Sequence, residues 1–315
     1  MDDVNTAEEK QEHMRHVLRS TRNGLQTTFP RSTRRHSLPE EGGDLSAIHR
    51  ASAAVPAITP YAGRIGGIQD FVLDRSDPAN AAELERVPDA APLMSMSALL
   101  DLRGFRQHEL WKAAVMEGVA TFMIVYLTLW ISIHPAVPPP LPPSPDSAAG
   151  VFATSAFLGP LIGGITSCIL VTLFIYSFAN VSGGHFNPMI TIATFLARLT
   201  SLPRMVLYVA SQTAGATLAG LMLRASYGSR QFDVGGCGIN TSLVPHGEAF
   251  SIEFTCSLIL LFIAFGVGLD PRQRQIFGPA LAPALVGLAL GVVSFGSAFQ
   301  KPGYEGACES RRFYI

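Results

Sequence analysis

The chain has 315 residues, of which 48% are hydrophobic and 15% charged, with a formal net charge of −1 and a mean hydropathy of +0.29. Soluble domains carry about 25% charged residues, and here the shortage is uneven: residues 1–108 hold 28 of the 47 Asp, Glu, Lys and Arg side chains. A polar N-terminal part followed by an apolar body excludes a single soluble domain. The net charge excludes a nucleic-acid binder driven by basic charge, and four cysteines are too few for a disulfide framework.

Residues 1–108 mix charge with Pro, Gly, Ser and Ala and show no sustained apolar period, so the reading is a disordered cytoplasmic tail. No apolar run follows the start as in a signal peptide. Arg34-Arg35-His36-Ser37 places two arginines before a serine, a pattern suited to a basophilic kinase and phosphorylation at Ser37. The alternative is a chance match in a basic patch.

Five apolar stretches follow, near 113–133, 157–179, 205–223, 250–268 and 278–299. Each is close to the ~20 residues that cross a bilayer as a helix. Basic residues flank one set of ends: Arg103, Arg106 and Lys112, then Arg198 and Arg204, then Arg272 and Arg274. The other side carries fewer, Arg224, Arg230 and Lys301, which puts the N-terminus in the cytoplasm. The Pro-rich segment 135–145 is then outside and extended. The sequon at Asn240 falls outside, where glycosylation is possible, and that at Asn180 inside. Among the cysteines, Cys168 and Cys256 lie within spans, whereas Cys237 and Cys308 fall outside, where they could pair.

Glu117 and Glu253 sit in the first and fourth stretches. A charge at bilayer depth costs about 2.5–3.5 kcal/mol. Both are therefore expected to face protein as intramembrane supports, unless they lie shallow enough to reach water. Gly159 and Gly163, and Gly287 and Gly291, stand four apart, a spacing that allows close helix contact.

The most informative run is Ser182-Gly183-Gly184-His185-Phe186-Asn187-Pro188-Met189. Residues 189–197 continue it as an apolar segment too short to span. The reading is a re-entrant half-helix, since irregular backbone at membrane depth is tolerated only where protein or a water-filled cavity surrounds it. Asn187 is a suitable N-cap and Pro188 a suitable first helical residue. The Asn oxygen caps the helix while its NH2 donates into the cavity. The helix N-terminus brings about +0.5 of an elementary charge, which disfavours cations. The alternative is an interfacial loop capping a surface helix.

With these residues in hand, the chain resembles the major intrinsic proteins, the aquaporins and aquaglyceroporins. Gly183–Met189 is similar to their first pore box, with Met189 where Ala is usual. Glu117, Thr121 and Phe122 resemble the first-helix signature, and Glu253 its counterpart in the second repeat. Tyr208, Gln212 and Gly215 fit the third span. Met189, Gly235–Gly238 and the long tail resemble the X-intrinsic subfamily. The resemblance covers residues 105–308.

The resemblance implies an all-α membrane protein, an aquaporin-like bundle built from inverted repeats. It divides the chain into a tail, 1–108, a channel domain, 109–308, and an aberrant end, 309–315. Gly303–Cys308 is similar to the approach to the second pore box. The family continues with Asn-Pro-Ala-Arg and a sixth span, whereas this sequence reads Glu309-Ser310-Arg311-Arg312-Phe313-Tyr314-Ile315. The expectation is therefore a C-terminally incomplete bundle of five spans and one half-helix. Ser167 and Ser294 match filter positions by resemblance; the alternative is that each caps carbonyls of its own helix. Two small polar filter residues imply a pore for water and small neutral solutes such as glycerol, urea or hydrogen peroxide.

The expected function is a passive channel in the lipid bilayer, assembled as a homotetramer, in the plasma membrane or vacuole. It makes and breaks no bond and needs no catalytic residue, cofactor, metal or nucleic acid. His185 has no evident nucleophile or metal partner, and no Gly-rich phosphate loop with Lys is present. One alternative is a truncated, non-conducting member that at most associates with intact channels. Another is a signalling protein whose tail acts and whose spans only anchor it.

Overall fold

The structure is a computed structural model, and it describes residues 59–66, 72–133, 158–228, 239–273, 276–298 and 304. The Ser37 motif, the Pro-rich segment 135–145, Gly235–Gly238, Cys308 and residues 309–315 lie outside them.

Eight α-helices are described: α1 Ala81–Arg86, α2 Met96–Leu99, α3 His108–Ile131, α4 Leu158–Phe178, α5 Pro188–Leu196, α6 Leu202–Tyr227, α7 His246–Ala264 and α8 Gly278–Ser297. Helices α3, α4, α6, α7 and α8 are long and apolar enough to cross a membrane, and they coincide with the five expected stretches. The described residues contain no strand, only an isolated bridge between Ile239 and Tyr304. The protein is thus an all-helical bundle.

Two close helix pairs organise it, α3 with α6 and α4 with α8. Helix α3 buries Ala113, Ala114, Glu117, Ala120, Thr121, Ile124 and Val125, a stripe at three- and four-residue spacing. Glycine sets the approach of each pair. A β-carbon at Gly118 of α3 would lie 2.9 Å from the Ser211 carbonyl oxygen, and one at Gly215 of α6 would overlap the Gly118 carbonyl. In the second pair, β-carbons at Gly164 and Gly291 would lie 2.7 Å and 2.6 Å from each other's carbonyl oxygens. Gly287 packs on Cys168 and Thr172, whereas Gly159 and Gly163 face open space. The contact stripe on α4 therefore runs through Gly164 and not through the Gly159/Gly163 spacing expected from sequence.

Many large outward side chains of the spans are apolar, including Phe250, Phe254 and Phe262 on α7. Such a surface suits lipid and not water.

The N-terminal part differs from the expectation of a structureless tail to residue 108. Residues 59–66 and 72–106 pack against the helices, with Tyr61, Arg64, Ile65, Asp89, Ala90, Ala91 and Met94 buried. The physical reason is anchoring rather than periodicity. Asp89 takes Nε and Nη2 of Arg204 at 2.7 and 3.2 Å and the Ser201 hydroxyl at 2.8 Å. Burial works against the Asp89 charge, but Arg204 and Ser201 outweigh it and hold the carboxyl below its usual range. Burial, helped by the neighbouring Arg204 charge, brings the Arg64 guanidinium down to about 10, still cationic near neutrality, and burial pushes the Tyr61 phenol up.

Candidate functional site

The site is built where α4 ends and α5 begins. Gly183 and Gly184 hold φ of +106° and +75°, and Phe186 holds +50°. Glycine adopts such angles without penalty. Phe186 does not, so its conformation has to be imposed by its surroundings. Glu117 imposes it: its Oε1 accepts from His185 N at 3.1 Å and its Oε2 from Phe186 N at 2.7 Å. Gln212 Nε2 donates to the same Oε2 at 2.9 Å. The Phe186 ring is gripped edge-on by Phe174 and Phe178. Glu117 is fully buried, so its cost at membrane depth is offset by donors fixed around it.

His185 is buried and clamped on both ring nitrogens. Its Nε2 faces the Gly63 carbonyl at 2.7 Å and the Tyr61 hydroxyl at 3.2 Å; its Nδ1 lies 3.1 Å from Thr191 Oγ1. A carbonyl only accepts, so Nε2 carries the proton toward Gly63. Tyr208, on α6, donates to the Ser182 carbonyl at 2.5 Å and receives Arg204 Nη1 at 3.0 Å. Asp89, Arg204 and Tyr208 thus form a chain of contacts ending on the box backbone.

Asn187 caps α5: its Oδ1 accepts from Met189 N at 2.8 Å, with Pro188 at the first helical position. Pro188 is buried and Met189 half-buried. The capped end opens on a cavity of about 70 Å³, lined by Gly184, His185, Phe186, Asn187, Ser167 and Thr128 among apolar side chains of α3, α4, α7 and α8. A water needs about 10–15 Å³ by this measure, so the space holds several waters and is far below the 300 Å³ or more of a drug-sized ligand site.

The remaining expected residues fall as follows. Ser167 is buried and lines the cavity, while Ser294 is half-buried on α8 and is not among its lining residues. Glu253 is half-buried on α7 and accepts from the Tyr304 hydroxyl at 2.8 Å, away from the box. Asn240 is exposed, its Oδ1 accepting from Ser242 N at 3.0 Å. Sequence reasoning missed Tyr61, Arg64, Ile65 and Asp89. One signal was available: residues 54–68 contain a single charge, Arg64, inside an otherwise charge-rich region.

Comparison with known proteins bears on the same helices. The family model of the major intrinsic proteins matches residues 104–301. The chain is 31% identical over 210 residues to probable aquaporin PIP2-8 of Oryza sativa subsp. japonica, covering 65% of this chain and 68% of that protein. It is 29% identical over 234 residues to probable aquaporin PIP2-1 of the same plant, covering 71% and 75%. Aquaporin-B of Dictyostelium discoideum is 34% identical over 122 residues, covering 37% of this chain and 42% of that protein. The matched region runs from the residues just before α3 to those just after α8 and contains the Glu117-pinned box and its half-helix, and by that match the chain belongs to the major intrinsic protein family.

Proposed function

We propose that the chain is a passive transmembrane channel for water and small neutral solutes. The observation that carries this reading is the cavity in which a capped half-helix end, the box backbone and Ser167 meet inside a ring of membrane-length helices. Solute exchanges its hydrogen bonds with water for bonds to Asn187, Ser167 and box carbonyls. The α5 N-terminus sets a positive partial charge against cations on the same path. Glu117 is the support that keeps the box carbonyls turned to the cavity. Ser167 is the filter residue of this reading; a small hydroxyl there leaves room for glycerol, urea or hydrogen peroxide beside water.

The same reading places the N-terminal part, residues 1–108, on the cytoplasmic side, Asn240 on the outer side, and a homotetramer in the membrane. The X-intrinsic-like assignment rests on Met189 and Gly235–Gly238.

The test is stopped-flow shrinkage of proteoliposomes holding the full chain. Water permeability above that of protein-free vesicles, with a weak temperature dependence, is the expected result. Asn187→Leu removes the cap and the cavity's amide together and returns permeability to the lipid baseline. Wild-type vesicles that behave as protein-free ones overturn the reading.

A further inference from the structure

One wall of the cavity comes from outside the membrane helices. Ile65, in the N-terminal segment 59–66, is 2% exposed and lines the cavity beside Gly184, His185, Asn187 and Ile190. Its backbone N donates to the Gly183 carbonyl at 2.8 Å. That carbonyl belongs to the box, whose oxygens are the groups a passing solute would use, and here the segment takes it. The neighbouring Gly63 carbonyl takes His185 Nε2.

The segment is fixed along its length. Ala62 N donates to the Asp89 carbonyl at 2.7 Å, the Tyr61 hydroxyl meets Thr200 Oγ1 at 2.7 Å, and Arg64 donates to the carbonyls of Ala179 and Thr59. The Arg204 guanidinium lies 4.1 Å over the Tyr61 ring. The bundle makes room for it with glycine. A β-carbon at Gly183 would come 2.7 Å from the Tyr61 ring, and one at Gly268, in the wide helical turn Phe265–Leu269 that follows α7, would come 2.8 Å from the Ile65 carbonyl oxygen.

We propose that residues 59–66 form the constriction of the solute path at the end where α4 and α7 finish, and that Ile65 is the side chain that sets its width. This rests on the channel reading for the identity of the path, but not for the contacts that close it. An isoleucine offers no donor or acceptor, so water crossing that point has to give up hydrogen bonds that this side chain does not replace. A smaller residue at 65 widens the path and removes part of that penalty.

The experiment reads access to the cavity and does not require conduction. The full chain carrying Ile190→Cys is reconstituted in liposomes and exposed to a membrane-impermeant thiol reagent on the side of residues 59–66, the unmodified chain giving the background. The same is done for Leu223→Cys, a buried position near the far end of α6 that does not line the cavity. The readout is the ratio of labelling rates at 190 and 223. Adding Ile65→Gly is expected to raise that ratio about tenfold, equivalent to about 1.4 kcal/mol off the barrier to entry, and Ile65→Val is expected to leave it near its starting value. An unchanged ratio overturns the proposal, whether both positions stay slow or both become fast through loosening of the bundle. Water permeability of the same vesicles is recorded separately. A raised ratio with no permeability in any variant overturns the channel reading and leaves the constriction standing.

Discussion

At the residue scale the decisive group is Glu117. Its two oxygens satisfy two successive backbone N–H groups of a strained turn and a side-chain amide. A glutamine keeps the shape but turns one acceptor into a donor, so one N–H of the box meets an NH2. A buried donor left without an acceptor costs about 1–3 kcal/mol. Glu117→Gln is therefore expected to lower the thermal unfolding midpoint in detergent and to reduce water permeability in the same preparation. A variant with an unshifted midpoint would show that the carboxylate does not hold the turn.

Asp89 is the second such residue. Breaking a buried ion pair by neutralising one partner costs about 3–5 kcal/mol, because Arg204 then stays buried without its counter-charge. Asp89→Asn is expected to lose stability of that order at neutral pH. The carboxyl titrates below its usual range in the folded protein, and its ordinary value is about 3.9. The pair therefore contributes fully above about pH 4, and that contribution is lost as pH falls through the lower folded value. An acid series of unfolding midpoints is expected to drop more steeply below about pH 4 for the wild type than for Asp89→Asn.

At the element scale, α5 shows how much of the site was legible in the sequence and why. An Asn-Pro start and nine residues of apolar helix define a half-span without any tertiary information, because capping and length act locally. Nothing local keeps so short a helix folded alone; Glu117 and Gln212 do so from other elements, Glu117 through the box backbone and Gln212 through Thr191 of the helix itself. The glycine pattern was legible only in part. Gly287 and Gly291 pack as their spacing suggests, but on α4 the contact passes through Gly164, since a spacing does not say which helix face meets a neighbour.

That difference is measurable on α6. Gly215 has the Gly118 carbonyl where a β-carbon would go, whereas Gly220 has nothing within 4 Å. Gly215→Ala is expected to destabilise by about 1–3 kcal/mol through overpacking. Gly220→Ala on the same helix is expected to be neutral or to stabilise by up to about 1 kcal/mol through helix propensity. Paired unfolding curves of the two variants check both, and equal shifts would remove the helix-contact argument.

At the scale of the whole molecule, the five spans and the basic residues at their ends set the topology. The two sequons read it directly, because only acceptors on the luminal side of a translocating membrane are modified. Asn240 and Asn180 are both exposed in the fold, so accessibility does not separate them. Expression with microsomes is expected to add one glycan, lost in Asn240→Gln and retained in Asn180→Gln. The opposite pattern inverts the orientation.

Membrane-length apolar runs, the capped half-helix and the box were determined by the sequence alone, because each follows from a local rule: length against bilayer thickness, a cap before a short helix, glycine where φ is positive. Which groups meet was decided only in three dimensions. Ser167 reaches the cavity and Ser294 does not, a matter of helix rotation that spacing leaves open. The segment at 59–66 has no period to announce it. Its order comes from Arg204, Thr200, His185 and Gly183, residues more than one hundred positions away in the chain, and contacts of that separation exist only once the helices have packed.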